Sequence, residues 1–223
     1  MIQPDLWMKE LTEKLIVLFE DRLAFVGLQG SYQRNEAHEG SDIDAVVIFE
    51  TLTIQDIKAY RELLSTMPDG EKSCGFLSGR QELQNRPKHE LFQFAQDTRA
   101  FYGDLSSLLP AFDRQDILQG TKISAANLYH ACCHAAVHEG DPLDALKGLY
   151  KGAFFLMQLV YYLRQGVYLH TKSELSKKLS GEEQEILTFS MNWSGNCDRV
   201  CENPDRFFDL LLGWTAQILD SSF

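Results

Sequence analysis

The feature that most constrains the fold is the segment of residues 28–50, which reads LQGSYQRNEAHEGSDIDAVVIFE. An apolar run over residues 23–28 leads into Gln29-Gly30-Ser31, a pattern that predicts a buried strand entering a tight turn. Residues 43–49 are rich in β-branched side chains and too few for a helix, so they predict a second strand. Chemistry-bearing residues therefore stand at the end of one strand and at the start of the next.

Two aspartates open the second strand. Asp42 and Asp44 are two positions apart, so the alternation of a strand points both side chains to the same face. Carboxylates held side by side repel each other unless a cation neutralises them, and oxygen ligands suit Mg²⁺. Gly30 would let the backbone approach a phosphate closely, and Ser31 would offer a hydroxyl and a backbone N–H at the start of a helix. The alternative is a surface turn followed by solvated aspartates, which β propensity disfavours. The segment predicts a metal–triphosphate site.

This segment resembles the signature of the nucleotidyltransferase superfamily related to DNA polymerase β. The matching parts are the Gly-Ser turn, the ten residues between Ser31 and Asp42, and two aspartates entering a strand. The branch it resembles most contains the aminoglycoside adenylyltransferases and the minimal nucleotidyltransferases of prokaryotes. The resemblance implies that Gly30 and Ser31 bind nucleotide phosphates and that Asp42 and Asp44 are catalytic and hold Mg²⁺.

The same resemblance implies a reaction. A nucleoside monophosphate, by default AMP from ATP, would move to an acceptor hydroxyl. An aminoglycoside-like small molecule is one candidate acceptor, and a protein side chain or a tRNA end remain open.

One part of the family pattern is missing. The superfamily adds a third carboxylate from a later strand, yet the candidate strand at residues 73–78, SCGFLS, contains no acid. Glu82 follows this strand by about one turn and is our predicted general base; the alternative is an exposed glutamate at a helix start. If no acid serves, the protein would be a catalytically weak or inactive nucleotide-binding regulator, or an antitoxin-like protein.

Hydrophobic periodicity predicts an α+β fold in two parts. A small mixed β-sheet with flanking helices covers residues 1–108, and an all-α helical bundle covers residues 109–223. The resemblance implies that the first part is the nucleotidyltransferase domain and that the helical bundle binds the acceptor. The predicted strands are residues 23–28, 43–49, 73–78 and 99–102. The predicted helices are residues 5–21, 54–66, 89–97, 123–138, 143–165, 182–191 and 205–220.

The resemblance continues more loosely in the helical half. The adenylyltransferases have a helix that ends in Gly and then a Lys-x-Glu-Ala-like element that begins another helix, which Gly166, Lys172 and Glu174 fit. Lys147 and Lys151 are four residues apart on one predicted helix and could bind triphosphate oxygens. The alternative is that both are ordinary solvated cations.

A second group of polar residues recurs at helical spacing. His130, His134 and His138 share one predicted helix face, and histidines four residues apart can chelate zinc. The sequence lacks the glutamate of an HExxH motif, so a polar helix face is favoured over a metal site. Cys197 and Cys201 have no second ligand pair at zinc-finger spacing, so we expect a structural role.

Composition excludes several classes of protein. Asp and Glu outnumber Lys and Arg 32 to 21, and a net charge of -11 argues against duplex DNA as a partner. The same charge would favour a cationic acceptor. No apolar stretch is long enough to span a membrane, and the first residues do not resemble a signal peptide. Five cysteines argue against a disulfide scaffold, so we expect a cytoplasmic protein. Its oligomeric state is left open.

Overall fold

The computed structural model describes residues 2–138 and 140–223. The chain divides after Ala111 into two compact units. The sequence pattern placed this boundary after Leu108. The first unit combines helices with a small mixed sheet, and the second is helical, which confirms the predicted fold class.

The first unit contains all four predicted strands. Its strands are β1 (Leu23–Gln29), β2 (Ile43–Phe49), β3 (Ser73–Gly79) and β4 (Arg99–Tyr102). Its helices are α1 (Pro4–Phe19), α2 (Gly30–Gln33), α3 (Ile54–Ser65), α4 (Arg80–Gln84) and α5 (Lys88–Gln96). Single 3₁₀ turns occupy Glu20–Arg22, Gly70–Lys72 and Leu105–Ser107.

The sheet has the strand order β3-β2-β1-β4. β2 runs antiparallel to β1 and parallel to β3, and β4 runs antiparallel to β1. The register places Gln29 opposite Asp44 on one side and Cys74 opposite Asp44 on the other. These three residues form one row across the sheet, at the edge where β1 ends and where β2 and β3 begin.

The two faces of the sheet are covered by different helices. Alternate residues of β2, from Ile43 to Phe49, join one buried apolar cluster with residues of α1 and α3. Asp44 points to the opposite face because it lies between these positions. On that face the Phe76 ring of β3 packs edge-on against Phe94 of α5, with ring centres 4.9 Å apart. Asp44 is therefore the one polar residue in a strand whose other side chains are buried.

A capping box begins α3. The Thr53 hydroxyl accepts a hydrogen bond from the Asp56 backbone N–H, and the Asp56 carboxylate accepts from the Thr53 backbone N–H. Arg22 also donates to this carboxylate, whose side chain is only 4% exposed. Burial raises the pKa of Asp56, but the hydrogen bonds from Thr53 and Arg22 outweigh it and hold the pKa below its usual range.

The second unit is built from six helices among the residues described. They are α6 (Arg114–His138), α7 (Pro142–Gln165), α8 (Lys172–Ser176), α9 (Gly181–Met191), α10 (Trp193–Glu202) and α11 (Pro204–Asp220). Large side chains from α7, α9 and α11 fill its core, including Tyr150, Phe154, Phe189, Phe207 and Trp214.

Several helix boundaries follow the sequence signals and others do not. Gly166 ends α7 in the left-handed conformation (φ 71°) and α8 begins at Lys172, as the resemblance implied. A capping box of Thr171 and Glu174 begins α8. α6 begins at Arg114, earlier than the predicted start at residue 123. The sequence pattern missed these first turns because they bury few apolar side chains. α10 was not predicted, since the turn-forming residues at its start hide its periodicity. No described helix has the length and apolar character of a membrane span.

Candidate active site

The turn after β1 is shaped by a glycine. Gly30 begins the four-residue helix α2 with a φ of 72°, a left-handed conformation that favours glycine. A Cβ atom placed on Gly30 would lie 1.7 Å from Oδ2 of Asp44, far inside van der Waals contact. The missing side chain at position 30 is therefore what lets the Asp44 carboxylate lie directly against the turn.

The two aspartates differ in exposure. Asp42 is exposed and immediately precedes β2, whereas Asp44 is half-buried within the strand. Their spacing across Ile43 is that of side chains on one side of an extended chain. The structure thus brings Gly30 and Asp44 into contact and places Ser31 and Asp42 one and two residues away from them along the chain. Oxygen donors of this kind fit a hard dication such as Mg²⁺.

The turn is closed by hydrogen bonds and an ion pair. The Gly30 carbonyl accepts from the Arg34 N–H at 3.2 Å, and the Ser31 carbonyl accepts from the Glu36 N–H at 2.8 Å. Nε of Arg34 lies 3.2 Å from the Glu36 carboxylate, and the Arg34 side chain is only 8% exposed. Because this ion pair is largely buried, it stabilises the loop that follows Gly30 and Ser31. The sequence analysis missed Arg34, whose signal was a single arginine in a polar loop.

Asp44 has one neighbour on each side within its row. The Gln29 side chain is engaged elsewhere, because its amide donates to the Phe94 carbonyl and to the Thr98 hydroxyl. On the other side stands Cys74, an exposed free cysteine. Residues paired across neighbouring strands share a face, so position 74 is where β3 could have placed a carboxylate beside Asp44. The chain has a thiol there.

The structure places Glu82, the predicted third carboxylate, at the opposite end of the sheet from the aspartates. A Cβ on Gly79 would lie 2.1 Å from Oε2 of Glu82, so this carboxylate folds back over the end of β3. Gly79 pairs with Phe49, whereas the aspartates stand at the start of β2. Phe49 lies five residue steps along β2 from Asp44, or about 16 Å at about 3.3 Å per step. Sequence distance alone could not tell which end of the sheet Glu82 would occupy.

The end of the sheet near Glu82 has charge partners of its own. Arg80 donates two hydrogen bonds to the Glu50 carboxylate, at 2.7 and 2.6 Å. These hydrogen bonds lower the pKa of Glu50 more than its slight burial raises it. This edge therefore forms a surface ion pair rather than part of the Gly30–Asp44 site.

No group of three or more His, Cys, Asp and Glu residues in the described part of the chain could hold a metal ion. His130, His134 and His138 of α6 therefore do not form a three-histidine metal site, and all three side chains are exposed. Cys132 lies between them in sequence but is fully buried, and burial raises its pKa to about 12. Its thiol thus stays protonated and inert near neutral pH.

The lysines predicted to meet the triphosphate lie in the second unit. Lys147 and Lys151 are one helical turn apart on α7, and both are exposed. Their contact with phosphates stays a prediction. Nζ of Lys172 lies 3.0 Å from the Ser190 hydroxyl and 5.6 Å from the centre of the Phe154 ring, so it packs within its own unit.

Comparisons with known proteins agree with this geometry. Residues 8–83 match the family model of the nucleotidyltransferase domain. No curated protein matches the sequence. Among solved structures, the spectinomycin adenyltransferase AAD(9) from Enterococcus faecialis, determined with ATP and spectinomycin, has a similar fold. The similarity covers 95% of this chain and 98% of that chain, with a TM-score of 0.55 and 16% sequence identity.

The family match applies to one part of the chain. Residues 8–83, which contain the Gly-Ser turn and both aspartates, match a nucleotidyltransferase domain, and a helical unit follows this domain. The match supports a transferase of phosphorus-containing groups.

Proposed function

We propose that the protein moves a nucleoside monophosphate, AMP from ATP, to the hydroxyl of a small-molecule acceptor in a Mg²⁺-dependent reaction. The observation that carries this proposal is the contact between Gly30 and the Asp44 carboxylate. It joins the turn suited to phosphates and the carboxylate suited to a cation in one place.

Each residue of this site has a distinct part in the proposal. Gly30, without a side chain, leaves room for a phosphate beside the backbone, and Ser31 offers its hydroxyl to the same group. Asp42 and Asp44 would hold Mg²⁺, which when bound offsets negative charge on the phosphates and on the transferred group. The covered Arg34–Glu36 pair keeps the turn in one conformation, so little reorganisation is needed when ATP binds.

The acceptor is the less constrained half of the proposal. The net charge of -11 attracts cationic molecules over short distances at physiological salt. The solved adenyltransferase of similar fold was determined with ATP and spectinomycin. The acceptor we propose is an aminoglycoside-like small molecule that carries positive charge and a hydroxyl group. The second unit, with Lys147 and Lys151 exposed on α7, would contact the nucleotide and the acceptor.

A second candidate function is nucleotide binding without turnover, as in a regulator or an antitoxin-like protein. It is favoured by one observation, the thiol of Cys74 at the position beside Asp44 where a general base could stand. Two carboxylates still repel each other without a cation, and a site that retains both is better explained by metal-assisted transfer.

Calorimetry with ATP in the presence and absence of Mg²⁺ tests the metal site. We expect binding to wild type to require Mg²⁺, and Asp42→Asn and Asp44→Asn to weaken it strongly. Asp69→Asn is the matched control, because Asp69 is an exposed aspartate of the same unit that pairs with Lys72. Equal affinity in all four proteins would refute the metal site.

A screen with labelled ATP then separates the two candidate functions. Label transferred to a cationic hydroxyl compound supports the enzyme. Mg²⁺-dependent ATP binding with no label in any small molecule, protein or RNA would instead establish the regulator. Label found only in protein or RNA would overturn the small-molecule acceptor.

A further inference from the structure

The exposed face of α6 carries a pair of histidines in close approach. His134 and His138 are one helical turn apart, and their ring centres are 4.7 Å apart with ring planes inclined by 51°. His130 lies one turn earlier, and its ring centre is 6.3 Å from that of His134. All three rings are exposed, so each is open to a ligand from solvent.

These distances single out one pair. A histidine nitrogen binds a zinc-like ion at about 2.0–2.1 Å. Two imidazoles that share one ion therefore hold their ring centres about 5 Å apart. His134 and His138 already meet this condition, whereas His130 and His134 do not. Three histidines cannot converge on one ion here, since positions eight residues apart on a helix are about 12 Å apart along its axis.

We propose that His134 and His138 form a chelating site for a divalent first-row transition metal. Imidazole nitrogen suits Ni²⁺, Cu²⁺ and Zn²⁺, and water completes the coordination of an exposed ion. α6 ends at His138, so the bound ion lies at the negative end of the helix dipole. The acidic balance of the protein also favours a dication.

The rest of the helix holds this pair in place. The opposite side of α6 is buried, with Leu128, Cys132 and Ala135 in the core of the second unit. Packing of this side fixes the helix backbone that carries the two exposed rings. Only side-chain rotations are then needed for both imidazoles to coordinate one ion. A bridge between His134 and His138 would in turn hold the last turn of α6.

The probe that tests the site best is Ni²⁺. Zn²⁺ would also be drawn to thiolates, and Cys197 and Cys201 lie one turn apart on α10. Calorimetric titration of the whole 223-residue chain with Ni²⁺ reports on imidazole binding, and excess Mg²⁺ is present to occupy the carboxylates. A double variant, Cys197→Ser with Cys201→Ser, measures any contribution of these thiols.

Three single variants decide the proposal. A linked second ligand strengthens binding by about 10²–10⁴-fold, so we expect His134→Ala and His138→Ala each to weaken Ni²⁺ binding at least tenfold. His130→Ala is the matched control, an exposed histidine of the same helix, and its affinity should stay within about twofold of wild type. Ni²⁺ should also raise the Tm of wild type and of His130→Ala but not of His138→Ala.

Other results would overturn the site. Equal losses in all three histidine variants would mean scattered single-ligand binding rather than a chelate. Loss of binding in the cysteine double variant would move the site to α10. Absence of saturable Ni²⁺ binding to wild type would remove the site altogether. None of these results depends on nucleotidyl transfer.

Discussion

Replacing Gly30 with alanine separates backbone strain from damage to the site. At a φ of 72° an alanine is strained by about 1–2 kcal/mol, partly offset by the lower entropy of its unfolded chain. Its Cβ would also lie 1.7 Å from Asp44 Oδ2, where an ordinary contact begins at 3.4 Å. The carboxylate must then retreat by the difference, 1.7 Å. A misplacement of about 1 Å at a reacting centre can cost about 10²-fold in rate.

Gly166 provides the matched control. Its φ of 71° is nearly the same, but nothing lies within 4 Å of the position of its Cβ. Gly166→Ala therefore carries the strain without the collision. We expect both variants to lose about 1 kcal/mol of stability, measured by urea unfolding. Only Gly30→Ala should lose nucleotidyl transfer, by about 10²-fold or more, measured as pyrophosphate release from ATP.

The reasoning would be refuted by either of two results. One is transfer by Gly30→Ala within about twofold of wild type, which would show that Asp44 need not lie against the turn. The other is an equal loss of transfer in Gly166→Ala, which would make the effect one of stability alone.

Three further changes have definite expected results. Asp56→Asn should destabilise the protein by about 1–3 kcal/mol at pH 7. Because the pKa of Asp56 is depressed, its stabilisation is present above about pH 4 and is lost as the pH falls through the folded pKa, so urea unfolding of the variant should depend less on pH in this acidic range than that of wild type. Cys74→Glu should raise the rate of pyrophosphate release, by up to about 10²-fold if the new carboxylate acts as general base, and Cys74→Gln should not; equal rates in the two would contradict the position assigned to residue 74. Glu82→Gln should leave kcat and KM unchanged, and a loss of kcat in this variant would restore Glu82 as a candidate base.

Much of the fold could be predicted because local signals and tertiary packing agree. β2 has the predicted bounds, since a β-branched run between polar loops has few other conformations. α7 was also close to prediction, because an Asp141 cap and a terminal Gly166 frame a long apolar stretch. α10 was missed because Trp193-Ser-Gly-Asn suggests a turn, and its helix is stabilised by packing of Val200 in the core.

Part of the candidate site could be predicted from the sequence, and part depends on strand pairing that the sequence does not show. Gly30 and Asp44 could be selected from sequence because both belong to one short segment and to one motif. Their contact depends on the antiparallel register of β1 and β2, and Cys74 enters the row only through the parallel pairing of β3. Pairing between distant segments leaves no local signal, which is why Glu82 was placed at the wrong end of the sheet and Cys74 was overlooked.

The measurement that tests the central claim most directly compares ATP labelled at the α-phosphate with ATP labelled at the γ-phosphate. Incubated with Mg²⁺ and a panel of cationic hydroxyl compounds, the protein should transfer the α label to an acceptor and release the γ label as pyrophosphate. Asp42→Asn and Asp44→Asn should abolish both signals, while Asp69→Asn should retain them. Transfer of the γ label to the acceptor, or its release as orthophosphate, would contradict nucleotidyl transfer by this site.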